Sequence, residues 1–515
     1  MAPLSDKRPA LVFIGFMGAG KSKAVRAAAD AGLEAVDADL ELERALEMPI
    51  GDFFAAHSED DFRARERELV VEVLDRADGG AIALGGGSVL SEQVRGALDR
   101  HVVVWLDVGV DEAWERVEDS SRPLARDHGS FAALHAERAP IYESLADAVI
   151  TGRRDVVRRA LPALRALVDL PHGSRLVWAT SDSGDYPVFV GRGLLGDFWP
   201  LAGEPICVTD ANVAPLFADR VAGEERRIVI PAGERSKTWS EAERVLLALT
   251  DLGATRSDHL AALGGGVVGD LAGFCAATYQ RGVDVVQVPT TLVAQVDSAY
   301  GGKTGVDLPH AKNYAGAYHQ PAAVLADPAT LDTLPAAELS AGWAEVIKTG
   351  LIAGDALWER VQAIESIGPR ELDELIYACA RSKLAVVAAD ERDSGARQSL
   401  NLGHTVGHAI EAATEYRRYR HGEAVGLGLL AALRLSGADG LRDEVRGLLE
   451  RRGLPTALAA EVDVDEVMAA ITRDKKATSE GLGFVLCSAP GRVEVGRPVD
   501  EGSVRAAVQE LISSG

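Results

Sequence analysis

Short apolar runs recur along the chain between longer charged stretches. From residue 10 to about 168, the runs 11–14, 81–84 and 102–106 alternate with segments whose apolar positions follow helical spacing. That alternation predicts a parallel sheet with crossover helices. Residues 168–174, which include Pro171 and Gly173, end a helical pattern ahead of a strand-like run at 175–179 and predict a boundary, with 169–174 as linker. The runs 206–209, 227–230, 260–263 and 285–288 predict a second α/β unit over 175–335. Beyond Pro335, long Ala-, Leu- and Glu-rich stretches with few strand runs before 484–487 predict a mainly helical unit over 336–515. At roughly 150 residues per domain, the 515 residues agree with that division into three.

Composition narrows the function classes. Apolar residues are 47% and charged residues 26% of the chain, the balance of a globular protein. Against 54 Lys and Arg stand 78 Asp and Glu, and the net charge of −24 repels phosphate backbones and anionic lipid, which argues against nucleic-acid and membrane partners. A small phosphorylated substrate then requires a local cluster of cations. Cys207, Cys275, Cys379 and Cys487 lie far apart without a CxxC pair, so neither a disulfide framework nor a zinc ribbon is expected, and a reducing cytoplasm fits. Lys7 and Arg8 precede an apolar run that resembles a signal peptide, but the run ends in Gly20-Lys21-Ser22 and reads as a buried strand entering a phosphate loop. No 18-residue apolar stretch predicts a spanning helix. Ala-Leu-Gly-Gly-Gly occurs at 83–87 and again at 262–266 with unmatched flanks, which suggests two strand ends close to ligands rather than a repeat.

The first chemical motif is Gly15-Phe-Met-Gly18-Ala-Gly20-Lys21-Ser22, between an apolar strand and an Ala-rich helix. Its glycines let backbone N–H groups wrap a triphosphate, Lys21 reaches the outer phosphates, and Ser22 suits Mg²⁺. Asp37 and Asp39 are expected on one side of an extended segment, one near the metal and one on a substrate hydroxyl, although taken alone they equally suit solvated helix caps. Downstream stand Phe62-Arg63-Ala-Arg65-Glu66, Gly85-Gly86-Gly87, Arg122-Pro123-Leu124 and Glu137-Arg138-Ala-Pro-Ile-Tyr142. In this order the motifs resemble shikimate kinase over residues 8–168. The resemblance implies a three-layer α/β P-loop kinase in which Asp39, Arg63, Arg138, Gly86 and Gly87 hold shikimate. It also implies that Asp37 lies near the metal and that Arg122 sits on a lid over ATP. Lys21 and Asp39 would then act directly on the transferred group. Lys23 and Asp60-Asp61 depart from the family pattern outside the implied ligands.

Gly264-Gly265-Gly266-Val-Val-Gly269-Asp270 again sets a Gly-rich turn at a helix start, and is a moderate dinucleotide signal because it is not G-x-G-x-x-G. Val288-Pro-Thr290-Thr291, Gln295-Val-Asp297-Ser298, Gly301-Gly-Lys303 and His310-Ala-Lys312-Asn313 crowd polar groups into a short span. Glu345 and Lys348 follow, then Arg397, Asn401, His404, His408 and His421. His404 and His408 at i and i+4 share a helical face and suit a metal pair, or else satisfy carbonyls in a core. Without H-E-x-x-H, a metalloprotease is not indicated.

Together these motifs resemble 3-dehydroquinate synthase over 175 to about 512. The resemblance implies an NAD-binding α/β domain followed by a helical metal-binding domain, with Glu345, His404 and His421 on one zinc or cobalt ion. His408 is left for proton transfer, against its reading as a ligand from spacing. NAD⁺ would rest on Asp210, Asn212, Glu234, Lys237, Gly265, Gly266, Asp270, Thr290 and Thr291, while Lys312 serves the cofactor or the substrate anion. Substrate would meet Lys303, Asn313, Lys383, Arg397, Asn401 and Lys475 or its neighbour Lys476, with Lys348, Asp297 and Arg281 among the catalytic groups. Arg281 would reach the partner's site in a homodimer. The implied chemistry is transient oxidation by NAD⁺, phosphate elimination, reduction and ring closure. The basic stretch 415–420 before His421 departs from the pattern.

The expected protein is a cytoplasmic bifunctional enzyme acting on small molecules. It would use ATP with Mg²⁺ to make shikimate 3-phosphate, and NAD⁺ with zinc or cobalt to convert 3-deoxy-D-arabino-heptulosonate 7-phosphate to 3-dehydroquinate and phosphate. The alternative is a related sugar-phosphate cyclase carrying a silent ATP-binding scaffold; the retained Lys383, Arg397 and Asn401, and the intact Lys21, Asp37, Asp39, Arg63 and Arg138, weigh against it.

Overall fold

The structure is a computed structural model that describes residues 7–118, 127–151, 155–196, 198–308, 311–364, 368–474 and 482–513. The chain forms two compact units, residues 1–179 with 187–189, and residues 180–186 with 190–515.

In the first unit the strands Ala35–Asp37, Ala81–Ala83, Leu11–Ile14, Val102–Asp107, Ala148–Thr151 and Arg175–Thr180 lie side by side in that order, all parallel. Leu11–Ile14 is buried at every position, and Val102–Asp107 at all but the last, as happens when helices cover both faces of a sheet. The 11–14 and 102–106 runs thus become the central pair. Ala35–Asp37 and Ala148–Thr151 escaped sequence detection because each is short and neither alternates.

In the second unit, Ala323–Ala326, Asp284–Pro289, His259–Gly264, Ile206–Asp210 and Arg227–Ile230 form a second parallel array in that order. An antiparallel hairpin, Lys303–Leu308 with Ala311–Tyr318, packs on the helix Gly266–Thr278, where a Cβ on Gly273 would lie 2.4 Å from Thr304 Cγ2. The remainder is mainly helical. Its helix Ala336–Ala353 is buried at every position from 341 to 351, which encloses Glu345 and Lys348. The helix His421–Leu435 approaches it closely at Gly422, where a Cβ would stand 1.8 Å from Ala341 O. At Gly428 a Cβ would stand 2.0 Å from Gly403 O, so the metal-candidate helices contact through glycine.

Candidate functional sites

The first site begins where Leu11–Ile14 ends. Gly15 and Gly18 take φ of +143° and +80°, and a Cβ on them would meet Leu106 O at 2.7 Å and Ala113 O at 2.6 Å, so both positions require glycine. Helix Lys21–Asp30 starts from Gly20 without a side-chain cap. Lys21 Nζ donates to Gly15 O at 2.8 Å and Phe16 O at 3.1 Å, folded back along the loop. Ser22 is exposed beside it. Arg116, which sequence reasoning passed over, donates to Gly18 O at 2.8 Å.

Asp37 and Asp39 do not share an extended face. Asp37 ends the strand Ala35–Asp37 and caps the helix Ala38–Leu46 by accepting from Asp39 N at 3.1 Å, while Asp39 stands in the first turn. The capping bond makes a helix start of the segment. Even so, Asp39 Oδ1 comes within 2.9 Å of the position a Gly85 Cβ would occupy, and Arg63 NH1 within 2.3 Å of a Gly87 Cβ. On the other side, Arg138 is 5% exposed, its NH1 3.5 Å from Gly86 O, which also accepts from Tyr142 Oη at 2.6 Å. Asp39, Arg63, Arg138, Gly86 and Gly87 therefore converge on one turn. Glu66, given no role from sequence, holds Arg63 NH1 at 2.6 Å and accepts from Ser88 Oγ at 2.8 Å. Arg122 lies outside the described residues.

In the second unit, a Cβ on Gly265 would meet Thr291 Cγ2, and one on Gly266 would meet Ser298 Oγ, each at 3.0 Å. Thr290 Oγ1 is buried without a hydrogen-bond partner. Asp210 accepts from Asn212 N at 2.8 Å and Val213 N at 3.1 Å, closing the turn after its strand. Lys237 Nζ pairs with Asp270 at 2.5 Å. Burial opposes the Lys237 charge, but Asp270 and Glu234 outweigh it and raise the pKa. Lys312 Nζ bridges Glu234 at 3.1 Å and Glu411 at 3.2 Å.

A second cluster surrounds Asp297, in the π-helical turn Ala294–Ser298. Lys383 Nζ lies 2.5 Å from Asp297 Oδ1, and Lys348 Nζ 3.4 Å from Oδ2. Burial opposes ionisation, yet Lys348 and Lys383 hold the Asp297 carboxyl at about 2. Arg397 is 1% exposed, and its terminal nitrogens donate to the carbonyls of Gly301 and Glu391. Lys303 pairs with Asp393, Asn313 N donates to Asp307 at 2.7 Å, and Asn401 ends the turn Ala396–Asn401 half-buried. Arg281 is exposed at φ +69°, after Gln280 at +48°. Lys475 and Lys476 lie outside the described residues, as does His310.

The histidines converge. One ligand atom each of His404, His408 and His421 falls within 4.8 Å of the others. Glu345 Oε1 is 3.5 Å from His404 Nε2 and 3.4 Å from His421 Nε2. Both Glu345 oxygens are buried with no partner in hydrogen-bonding geometry, although Lys348 Nζ comes within 2.5 Å of Oε2. Burial lowers His404 to about 4 and pushes His408 well below the usual histidine range. Burial also acts against His421, but the neighbouring Glu345 and Glu411 carboxylates raise it to about 9.

Residues 17–165 match the family model for shikimate kinase, while 227–341 and 342–477 match those for the 3-dehydroquinate synthase N-terminal and C-terminal parts. A 3-dehydroquinate synthase of Symbiobacterium thermophilum is 43% identical over 350 residues, spanning 63% of this chain and 98% of that protein. One of Methylococcus capsulatus is 45% identical over 345 residues, spanning 63% and 96%. Among solved structures, a 2-epi-5-epi-valiolone synthase from Streptomyces hygroscopicus subsp. jinggangensis with NAD⁺ and Zn²⁺ bound is 25% identical, with a TM-score of 0.59 over 65% of this chain and 99% of that one. These matches and the two sites define the class: a P-loop phosphotransferase fused to a sugar-phosphate cyclase. The chain belongs to the 3-dehydroquinate synthase family, and its first unit is a shikimate kinase domain. It is a bifunctional shikimate-pathway enzyme, a kinase and a phosphate-eliminating lyase in one chain.

Proposed function

We propose that Glu345, His404 and His421 hold one divalent zinc or cobalt ion, that NAD⁺ rests along the Gly265–Gly266 turn, and that ATP with Mg²⁺ occupies the Gly15–Ser22 loop. One observation carries the metal assignment. With bonds of about 2.1 Å, neighbouring ligand atoms of a tetrahedral ion stand ~3.4 Å apart. The two Glu345–histidine separations, 3.5 and 3.4 Å, match that edge, and the buried Glu345 carboxylate, held ionised by Lys348, supplies the ligand charge. The cradle at Gly265 and Gly266 and the orphaned Thr290 hydroxyl support the dinucleotide placement.

When bound, the ion polarises a substrate hydroxyl and NAD⁺ takes up and returns a hydride. His408, kept neutral by burial and clear of Glu345, has a lone pair for the hydroxyl proton. Lys348 and Lys383, gathered by Asp297, place cations for the substrate's anionic groups against the chain's negative field. In the kinase, Arg63 and Arg138 clamp the shikimate carboxylate while Asp39 orients the attacking hydroxyl. Asp37, which caps the helix Ala38–Leu46, serves Mg²⁺ together with Ser22.

Chelation followed by selective restoration tests the metal assignment. Mg²⁺ alone restores shikimate phosphorylation and not cyclisation, and zinc or cobalt restores both; recovery of cyclisation with Mg²⁺ alone contradicts the ligand set.

The synthase part acts as a homodimer in which Arg281 enters the partner's site. Arg281 is held exposed at a costly positive φ, and Trp239 and Leu247, 58% and 60% exposed on one helix, are large apolar side chains that a second copy would cover. Arg281→Ala and His404→Ala chains, each inactive alone, then recover roughly a quarter of wild-type cyclisation on co-expression. No recovery would place Arg281 in its own chain's site or on the surface. A cytoplasmic location fits the four free, buried cysteines.

A further inference from the structure

Glu411 has no part in the chemistry above, yet it is 3% exposed beside the candidate metal ligands. On the helix His404–Ala413 it follows His404 by seven residues and His408 by three, so the three side chains share a face. Its two oxygens divide between different elements. Oε2 stands 3.3 Å from His421 Nδ1, and Oε1 stands 3.2 Å from Lys312 Nζ on the hairpin strand Ala311–Tyr318. Lys312 continues to Glu234 Oε1 at 3.1 Å, with its ammonium 5.3 Å from the centre of the Tyr416 ring. His421, Glu411, Lys312 and Glu234 thus form one unbroken run from the metal side to the cofactor side.

Each link is demanding. With an ion bound, an Nδ1–H donated to Glu411 would fix the His421 tautomer and leave Nε2, the nitrogen that faces Glu345, for the ion. Lys312 is the cation that both carboxylates share, and without it the buried Glu411 charge would face the part-exposed Glu234 charge with nothing between them. Displacing Lys312 at the cofactor end therefore alters what Glu411 offers His421, and reorienting His421 alters what Glu411 offers Lys312.

Resting on the metal and NAD⁺ assignments above, we propose that Glu411 is a positioning residue that couples the two ligands: through Lys312, metal binding tightens NAD⁺ binding and NAD⁺ tightens metal binding. Reciprocity follows from linkage, because the factor by which one ligand changes the other's affinity is the same in both directions.

The test uses the full chain stripped of metal, with Co²⁺ affinity measured by chelator competition and NAD⁺ affinity by calorimetry with and without Co²⁺. Wild type binds NAD⁺ about 5-fold or more tightly when Co²⁺ is present. Glu411→Gln offers one acceptor and one donor where two donors face it. It weakens Co²⁺ binding about 10- to 100-fold and brings the NAD⁺ ratio close to one. Glu411→Asp, which keeps both acceptors, recovers part of both effects. Lys312→Gln breaks only the second link, so it abolishes the ratio and costs less Co²⁺ affinity than Glu411→Gln does; it decides the matter if Glu411→Gln does not fold. Shikimate phosphorylation and thermal unfolding of the same preparations report integrity. Co²⁺ affinity unchanged in folded Glu411→Gln, or a wild-type NAD⁺ affinity indifferent to Co²⁺, overturns the coupling. His404→Ala separates this result from failure of the metal assignment. If His404→Ala leaves Co²⁺ binding intact, the ligand set is wrong; if it abolishes binding while Glu411→Gln does not, only the coupling is wrong.

Discussion

A methyl group at Gly422 should dismantle the metal site without touching a ligand. Its Cβ would stand 1.8 Å from Ala341 O and 2.5 Å from Ala341 C, whereas real Cβ contacts do not fall below 3.0 Å. The obstacle is backbone, so the helices Ala336–Ala353 and His421–Leu435 must part by about 1.2 Å or more, at a cost of about 1–3 kcal/mol. His421 precedes Gly422, and Glu345 lies one turn beyond Ala341, so the same displacement acts on the 3.4 Å Glu345–His421 separation. Taken up fully there, it opens the gap to about 4.6 Å, too wide for two ligands on one ion with bonds of ~2.1 Å. Gly422→Ala should therefore bind zinc or cobalt at least 100-fold more weakly and lose cyclisation, while retaining shikimate phosphorylation. Gly426→Ala on the same helix is the control, because its Cβ would meet the Leu449 side chain at 3.2 Å, which can rotate aside, and Ala344 Cβ only at an ordinary 4.0 Å. Metal content, both activities and thermal unfolding should be measured on both variants. A folded Gly422→Ala with wild-type metal affinity would refute the helix-contact reasoning.

Two further outcomes concern the kinase unit. Glu66→Gln removes the charge that holds Arg63 NH1 at 2.6 Å, so kcat/KM for shikimate should fall about 10- to 100-fold with KM for ATP and cyclisation unchanged, read by varying each substrate separately. His101 accepts from Ala10 N at 3.1 Å and pairs with Leu74 O at 3.1 Å, and burial, helped by Arg100, lowers its pKa from 6.5 to about 4. The unfolded chain binds the proton more readily between those values, so this histidine's contribution is whole above pH 6.5 and is lost as pH falls from 6.5 towards 4. His101→Asn should flatten that part of the stability–pH curve in denaturant titrations, and a parallel curve would contradict the burial argument.

What the sequence made legible was whatever chemistry is written locally. The phosphate loop could be read because strand, glycines, Lys21 and helix are contiguous, and the His404–His408 face because four residues complete a helical turn. The Asp37–Asp39 geometry was misread because period-2 logic holds only if the strand continues, and a single capping bond turns Asp39 onto a helix. Glu66 and Glu411 were passed over for another reason. A buried carboxylate that steadies a cation looks like a solvated one until the fold is known, and the Lys312–Glu411 contact spans 99 residues. The hairpin Lys303–Leu308 with Ala311–Tyr318 lay hidden within a stretch dense in polar site residues, where no alternation marks a buried face.

Assaying one purified chain for both reactions in two variants goes to the centre of the matter. Lys21 and His404 belong to different units and share no ligand among the described residues. Lys21→Ala should abolish ATP-dependent phosphorylation of shikimate and leave phosphate release from the heptulosonate phosphate at the wild-type rate, and His404→Ala should do the reverse. A folded variant of either kind that loses both activities would contradict two independent catalytic sites on one polypeptide.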